Sequence, residues 1–410
     1  KSEDHYAWDD DLHARGGNLR VEEQRISWEL LDAFRDACEQ LGIPKTRDFN
    51  GGDNFGSAYF QVTQKSGLRW NGAKAFLRPA RNRPNLKVLT EAHVSRILFE
   101  DGKANGLDLD VAGEPARLSV AGELVLAAGA IGSPKLLMLS GIGPGDHLRS
   151  LGIDVRADVP GVGGNLADHV NIDLVAELHG HDGLDRYRKP HMAAWAGLQY
   201  ALFRSGPVAS NVVEGGMFWY SGDDLPTPDL QYHFLAGAAA EEGVGGVAPG
   251  RSGITLNCYG LRPKARGTVR LASPAPDRPP LIDPDFMGHP DDLETTVRGL
   301  RTGLEIVRKP DLARHVRRIV LPDDTVTDEA GLRDFVRNHC RTSYHPVGTC
   351  RMGTDEGSVV DTSLKLRGFE GLRVCDSSVF PSLIGSNTNA ATAMVAERAS
   401  DLINGVAAIG

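Results

Sequence analysis

Two stretches of this sequence carry residues that could move a proton beside a reacting carbon. The first is 343–353, SYHPVGTCRMG. His345 precedes a proline, which keeps its backbone extended and out of helix. Gly348 suits a tight turn. An imidazole whose free pKa lies near neutrality, on a rigid loop, is a candidate general base. Alone, one histidine among 13 reads more simply as a structural loop residue. The second stretch is 372–398, LRVCDSSVFPSLIGSNTNAATAMVAER. LRVCD reads as a buried strand ending at Asp376. Asn389 stands before a clear helix, in N-cap position. The start of a helix carries unpaired N–H groups and a partial positive charge, a natural seat for an anion. Plain capping by Asn389 is compatible with that role.

Other chemistries find no support. No GxSxG elbow is present, which argues against a serine hydrolase. His179 and His181 are the only close histidine pair and have no carboxylate at ligand spacing, so a surface loop is expected and no metal. Gly161-Val-Gly163-Gly164 does not complete G-x-G-x-x-G and reads as a turn.

These residues need elements to hold them. A chain of 410 residues is long for one core and suggests two domains, interleaved or in series. Its 48 glycines are about 12% of the chain, against an average of about 7%, with no repeat to explain them. Turns and close backbone approaches account for the surplus. The net charge of −9 argues against nucleic acid or an anionic membrane as the main partner. The basic runs 78–83 and 314–318 read as solvated surface. Five scattered cysteines with no CxxC fit a reducing compartment, and a cytoplasmic location is expected. No apolar run reaches transmembrane length. The sequence opens on Lys1, which suggests a segment upstream.

Residues 1–25 look charged and irregular, and 46–72 loop-like. SWELLDAFRDACEQL (27–41) reads as an amphipathic helix capped by Ser27 and ended by Gly42. LKVLT (86–90), VSRILFE (94–100), NGLDLDV (105–111) and ARLSV (116–120) read as an antiparallel meander. ELVLAAGA (123–130) reads as a fully buried strand. A helix follows, with Ser133 as N-cap, Pro134 at its first position and Gly141 past its end. Such strand–glycine–helix junctions often meet a ligand. Strands at 229–237, 252–260 and 267–273 suggest a second sheet, and helices are expected over 291–308, 329–339 and 389–406.

The same stretches carry a family resemblance. GAIGSPKLLMLSGIG (129–143), PGVGGNLADH (160–169), HPVGTCRMG (345–353) and NTNAATAM (387–394) resemble the signatures of the glucose–methanol–choline (GMC) oxidoreductases. GGNLRV (16–21), RPNLKVLTEAHVSRI (83–97) and GTVRLASPAPDRPPLIDP (267–284) fit as well, so the likeness runs through nearly the whole chain.

The resemblance implies an α/β fold. An FAD-binding Rossmann-like domain, truncated at its N-terminus, would comprise residues 1–168 and 346–410. An α+β substrate domain with an antiparallel sheet would comprise 169–345. The family's opening GxGxxG unit has no counterpart here, so a missing N-terminal segment is expected. The resemblance further implies FAD-dependent oxidation of a small-molecule alcohol by hydride transfer to flavin N5, with oxygen or a quinone-like compound as electron acceptor. His345 resembles the catalytic base and Asn389 its active-site partner, and the two side chains are expected to converge. Val94, Ala128, Gly129, Asp376, Ser377, Ala390 and Thr392 match positions that line the cofactor. A hydroxynitrile lyase on the same fold and an inactive fragment serving as a binding module are the alternatives. A nicotinamide dehydrogenase has no fingerprint to support it.

Overall fold

The structure is a computed structural model that describes residues 2–180, 183–238, 247–248, 250–326 and 328–406. The chain forms two compact units. One gathers Lys1–Lys87, Val170–Leu261 and Asp291–Arg341; the other gathers Val88–His169, Arg262–Pro290 and Thr342–Gly410. The chain crosses between the units after residues 87, 169, 261, 290 and 341, against expected boundaries at 168/169 and 345/346. The compact units also place 1–87 with the large sheet and 262–290 with the second unit.

The first unit is built on an antiparallel sheet. Its strands run in the order Val316–Leu321, Val170–Leu178, Gly253–Gly260, Leu230–Leu235, Gly215–Trp219 and Gly56–Tyr59. Val170–Leu178 is buried along its whole length because it is central and covered. Two helices pack on one face. Phe34 of the helix Glu29–Glu39 meets Phe234 at a ring separation of 5.0 Å. Tyr232 Oη donates to the Gly299 carbonyl of the helix Pro290–Val307 at 2.6 Å. Gly299 is needed at that crossing, since a Cβ there would lie 2.4 Å from Cys258 Sγ. Alternation puts polar groups on the opposite face. His233 Nε2 lies 2.9 Å from Tyr259 Oη and 3.2 Å from Gln231 Nε2, and Asn257 bonds Asp173.

The second unit joins a three-stranded meander, Ala92–Glu100, Lys103–Val111 and Glu114–Ser119, to a two-stranded parallel pair. That pair is Leu124–Leu126 with Leu372–Val374, so two segments far apart in sequence share one register. Leu126, Leu137, Met138, Val347, Val360 and Val374 lie in its buried core.

Several local expectations are corrected. Residues 86–90 form no strand, and Leu86, Val88 and Leu89 are exposed, so hydrophobic alternation there reflects no buried face. The region 1–25 contains a parallel pair, Glu3–His5 with Leu19–Val21, and the region 46–72 contains the strands Gly56–Tyr59, Gln64–Lys65 and Leu68–Arg69. The strand in 123–130 is only Leu124–Leu126, with Leu126 buried and Val125 41% exposed. Trp28 rather than Ser27 precedes the first long helix. The helix after the parallel strand begins at Gly129, so Ser133 lies inside it and is not the N-cap residue; its hydroxyl accepts the N–H of Ala128, which is, at 3.1 Å. Gly141 does close it, with φ at +85°. His179 is exposed, and His181 lies outside the described residues. Among the described residues, no helix is long and apolar enough to cross a membrane.

Candidate active site

The loop carrying His345 lies against the segment that ends the motif at 160–169. Ala167 and Val347 exchange both backbone hydrogen bonds, at 2.9 and 3.1 Å. Beyond this single bridge the ladder stops, with the His169 carbonyl accepting Ser343 N–H at 2.8 Å, and the His169 and His345 side chains meet. Their Nδ1 atoms are 2.9 Å apart, and the rings meet edge to face. Asp168 fixes the loop from the same side. Its Oδ1 accepts the His345 backbone N–H at 2.9 Å, and its Oδ2 accepts the Thr342 hydroxyl. Burial raises the Asp168 pKa, while the Thr342 hydroxyl and the backbone N–H groups of His345 and His169 oppose that rise.

The hydrogen bonds settle the proton positions in the neutral pair. His169 Nε2 lies 3.1 Å from the Ile384 carbonyl, which can only accept, so His169 carries its proton on Nε2. Its Nδ1 is then the acceptor, and His345 must donate from Nδ1. The lone pair of His345 is left on Nε2. That atom lies 3.0 Å from Asn387 Nδ2, an amide donor. Burial pushes the His345 pKa down to about 4, so the imidazole is neutral across ordinary pH.

The residue beside His345 is therefore Asn387. Asn389, expected to be both N-cap and partner, is instead the first residue of the helix Asn389–Ile403, with its side chain exposed. Thr388 occupies the cap position and makes no side-chain cap bond. The amides of Asn389 and Ala390 have no hydrogen-bond partner among the described residues. The N-terminus of this helix thus carries unpaired N–H groups and the partial positive charge of a helix start.

The other expected positions fall into three groups. Ala128, Gly129 and Asp376 converge where the two parallel strands end. Gly129 N–H donates to Asp376 Oδ2 at 2.9 Å, and the Ser133 hydroxyl donates to the same oxygen. Gly129 has φ at +78° and open space where a Cβ would stand. Ser377 ties this corner to the histidine loop, its hydroxyl donating to the Pro346 carbonyl at 3.1 Å and its carbonyl accepting Gly348 N–H at 3.2 Å. Ala390 and Thr392 stand in the first turn of the last helix, where the Thr392 hydroxyl donates back to the Thr388 carbonyl at 2.8 Å. Val94 lies on the meander strand Ala92–Glu100, beside a bulge.

Sequence reasoning missed Asp168, His169 and Asn387. Asp168 and His169 close the motif PGVGGNLADH, which periodicity read only as a turn. Asn387 opens the motif NTNAATAM, two residues before the asparagine that was chosen.

A second group of potential ligands, Glu3, His5 and His13, brings one donor atom from each within 4.8 Å. His5 Nδ1 accepts the N–H groups of Ala7 and Trp8 at 3.2 and 2.9 Å. Neutral His5 therefore carries its proton on Nε2 and presents a donor, not a lone pair, to Glu3 and His13. That tautomer does not suit a metal ion.

Comparison with known proteins identifies the family. Residues 4–171 and 263–396 match the N- and C-terminal GMC oxidoreductase family profiles. The chain is 39% identical over 394 residues to the alcohol dehydrogenase [acceptor] of Pseudomonas putida, covering 95% of this chain and 71% of that protein. It is 36% identical over 399 residues to the oxygen-dependent choline dehydrogenase of Rhizobium rhizogenes, covering 97% and 71%. The crystal structure of pyridoxine 4-oxidase from Mesorbium loti superimposes with a TM-score of 0.86 at 29% identity, over 99% of this chain and 76% of that one.

Proposed function

Since this chain belongs to the GMC oxidoreductases, an FAD-dependent family acting on CH–OH donors, we propose that it oxidises a small alcohol to the carbonyl compound, with His345 Nε2 accepting the hydroxyl proton. The observation that carries this reading is the oriented lone pair on His345 Nε2, fixed through His169 and the Ile384 carbonyl. A neutral imidazole with one defined accepting nitrogen is what removal of an alcohol proton requires.

The residues present fit the cofactor. The uncapped start of the helix Asn389–Ile403 suits an anionic ring edge, and the open backbone at Ala128–Gly129 admits a group at close approach. In this reading Val94, Ala128, Gly129, Asp376, Ser377, Ala390 and Thr392 hold FAD. When bound, FAD supplies the two-electron acceptor for the carbinol carbon. The division of labour stays as the sequence suggested: 1–168 and 346–410 for cofactor, 169–345 for substrate.

The chain's own residues do the rest. Asn387 donates to His345 Nε2 in the free enzyme. An alcohol hydroxyl entering there takes over that nitrogen and receives the Asn387 N–H on its oxygen, so one amide donor serves both states. Asp168 holds the loop backbone, which limits the travel of the base. Proton removal by a positioned base contributes roughly 10²–10⁴ in rate.

The test is His345→Ala in the flavin-loaded enzyme. We expect kcat/KM for alcohols to fall by roughly 10² or more while flavin content stays near that of the parent. Equal loss of both would show His345 to be structural.

A further inference from the structure

The helix Pro190–Phe203 departs from the usual pattern of a surface helix. Its sequence, PHMAAWAGLQYALF, contains no Asp, Glu, Lys or Arg, and apart from His191, Gln199 and the Tyr200 hydroxyl its side chains are apolar. Such a helix belongs in a core or against another apolar phase. Here it lies on the outside of its unit. Trp195 is 60% exposed, Leu198 50%, Leu202 65% and Phe203 68%. Only Ala196 of its 14 residues is buried. Leu68 and Val208 extend the apolar surface, since Tyr200 Oη bonds the Gly67 carbonyl and the turn at Pro207 follows directly. A contiguous exposed patch of this kind marks an interaction face.

The charges around it choose the occupant. Residues 183–212 hold four cations, Arg186, Arg188, Lys189 and Arg204, against one acid, Asp185, a local net of +3 in a chain of −9. Asp185 is buried, accepts the amides of Ala238 and Gly253, and pairs with Arg188. Arg188, Lys189 and Arg204 are exposed at the two ends of the helix, and Lys65 and Arg69 flank Leu68. A second copy of the chain on this face would set these cations against themselves. Cations at both ends of an exposed apolar helix bearing a tryptophan match the interface of an anionic bilayer. Fourteen residues rise about 21 Å, less than the roughly 30 Å of a bilayer core, so the helix would lie in the plane and not span it.

We propose that the helix Pro190–Phe203 docks the enzyme on an anionic phospholipid surface, inserting Trp195, Leu198, Leu202 and Phe203 between lipid headgroups. The overall charge of −9 hides this face because the opposite sign is confined to one segment.

Flotation of the flavin-loaded protein with vesicles tests this. Vesicles of phosphatidylcholine are compared with vesicles containing phosphatidylglycerol. Binding is expected to the anionic vesicles, weakened by salt, and weaker by at least roughly tenfold in L202S/F203S, with turnover of a water-soluble alcohol unchanged. Brominated lipid should quench the fluorescence of the parent and not that of W195F. No binding to anionic vesicles would overturn the proposal, as would binding that L202S/F203S leaves intact. Concentration-dependent dimers lost in L202S/F203S, without vesicle binding, would reassign the face to self-association; a shielded Trp195 that no aqueous quencher reaches would reassign it to a protein cover.

Discussion

His169 Nδ1 and His345 Nδ1 stand 2.9 Å apart, and one proton between them, donated by His345, orders the whole site. His169 does not touch substrate in this reading; it is a positioning residue that fixes which nitrogen of His345 carries the lone pair. His169→Phe removes the acceptor and lets the His345 proton move to Nε2. We expect kcat to drop by roughly ten- to a hundredfold with KM and flavin content little changed. His169→Gln, whose amide oxygen can accept the same proton, should retain more of the rate. Loss of flavin or of folding in step with kcat would assign His169 a packing role.

Burial alone holds the His345 pKa at about 4. The folded protein therefore binds this proton less readily than the unfolded chain, whose histidine titrates near 6.5. The stabilisation from keeping His345 neutral is complete above about 6.5 and is lost as pH falls toward 4. The loss between those pH values amounts to roughly 3 kcal/mol. The acid limb of kcat/KM should accordingly lie near 4, and His345→Gln should flatten the acid-side fall in unfolding free energy. An acid limb near 6.5 would show that the base is solvated.

Asn387 and Asn389 can be told apart by paired substitutions. Asn387 reaches His345 Nε2 at 3.0 Å, whereas the Asn389 side chain is exposed at the first turn of the last helix. Asn387→Ala removes a hydrogen bond to an oxygen that gains charge as its proton leaves, a bond worth roughly 1.5–3 kcal/mol, or about ten- to a hundredfold in kcat/KM. Asn389→Ala should change kcat/KM by less than roughly threefold. The reverse ranking would return the role to Asn389.

The long elements were legible because periodicity reports burial directly. The helix expected over 291–308 is found at Pro290–Val307, and the strand expected over 252–260 at Gly253–Gly260. The failures share a cause: each depended on a partner distant in sequence. Leu86, Val88 and Leu89 alternate like a strand but have no neighbour to pair with. Ser133 looks like a cap, but its hydroxyl goes to Asp376, 243 residues away. His345 could be nominated from its loop, yet its neighbour His169 comes from a segment 176 residues away, joined to the loop by one isolated bridge at Ala167 and Val347. No local pattern announces that contact. Choosing between two asparagines separated by one threonine required knowing where the helix begins.

Gly348 gives a test of how tightly the histidine loop is held. Its φ is +88°, and a Cβ there would come within 2.6 Å of the Asn165 carbonyl oxygen. The crowding arises because Asn165 Nδ2 donates to the Gly348 carbonyl at 3.2 Å and Gly348 N–H donates to Ser377 at 3.2 Å. Gly348→Ala therefore meets two costs, the left-handed backbone and a clash with backbone that cannot swing away. Gly368→Ala is the control, since its φ is +77° but nothing lies within 4 Å of the added carbon. The left-handed strain is common to both variants, roughly 1 kcal/mol, and the clash belongs to Gly348 alone. We expect Gly368→Ala to lower Tm by a few degrees and to leave kcat near the parent value. Gly348→Ala should lower Tm further and reduce kcat disproportionately, because His345 lies three residues away and a shift of about 1 Å in such a loop can cost 10²-fold. Equal effects of the two substitutions on Tm and kcat would mean that the loop relaxes freely and that Asn165 does not set the position of His345.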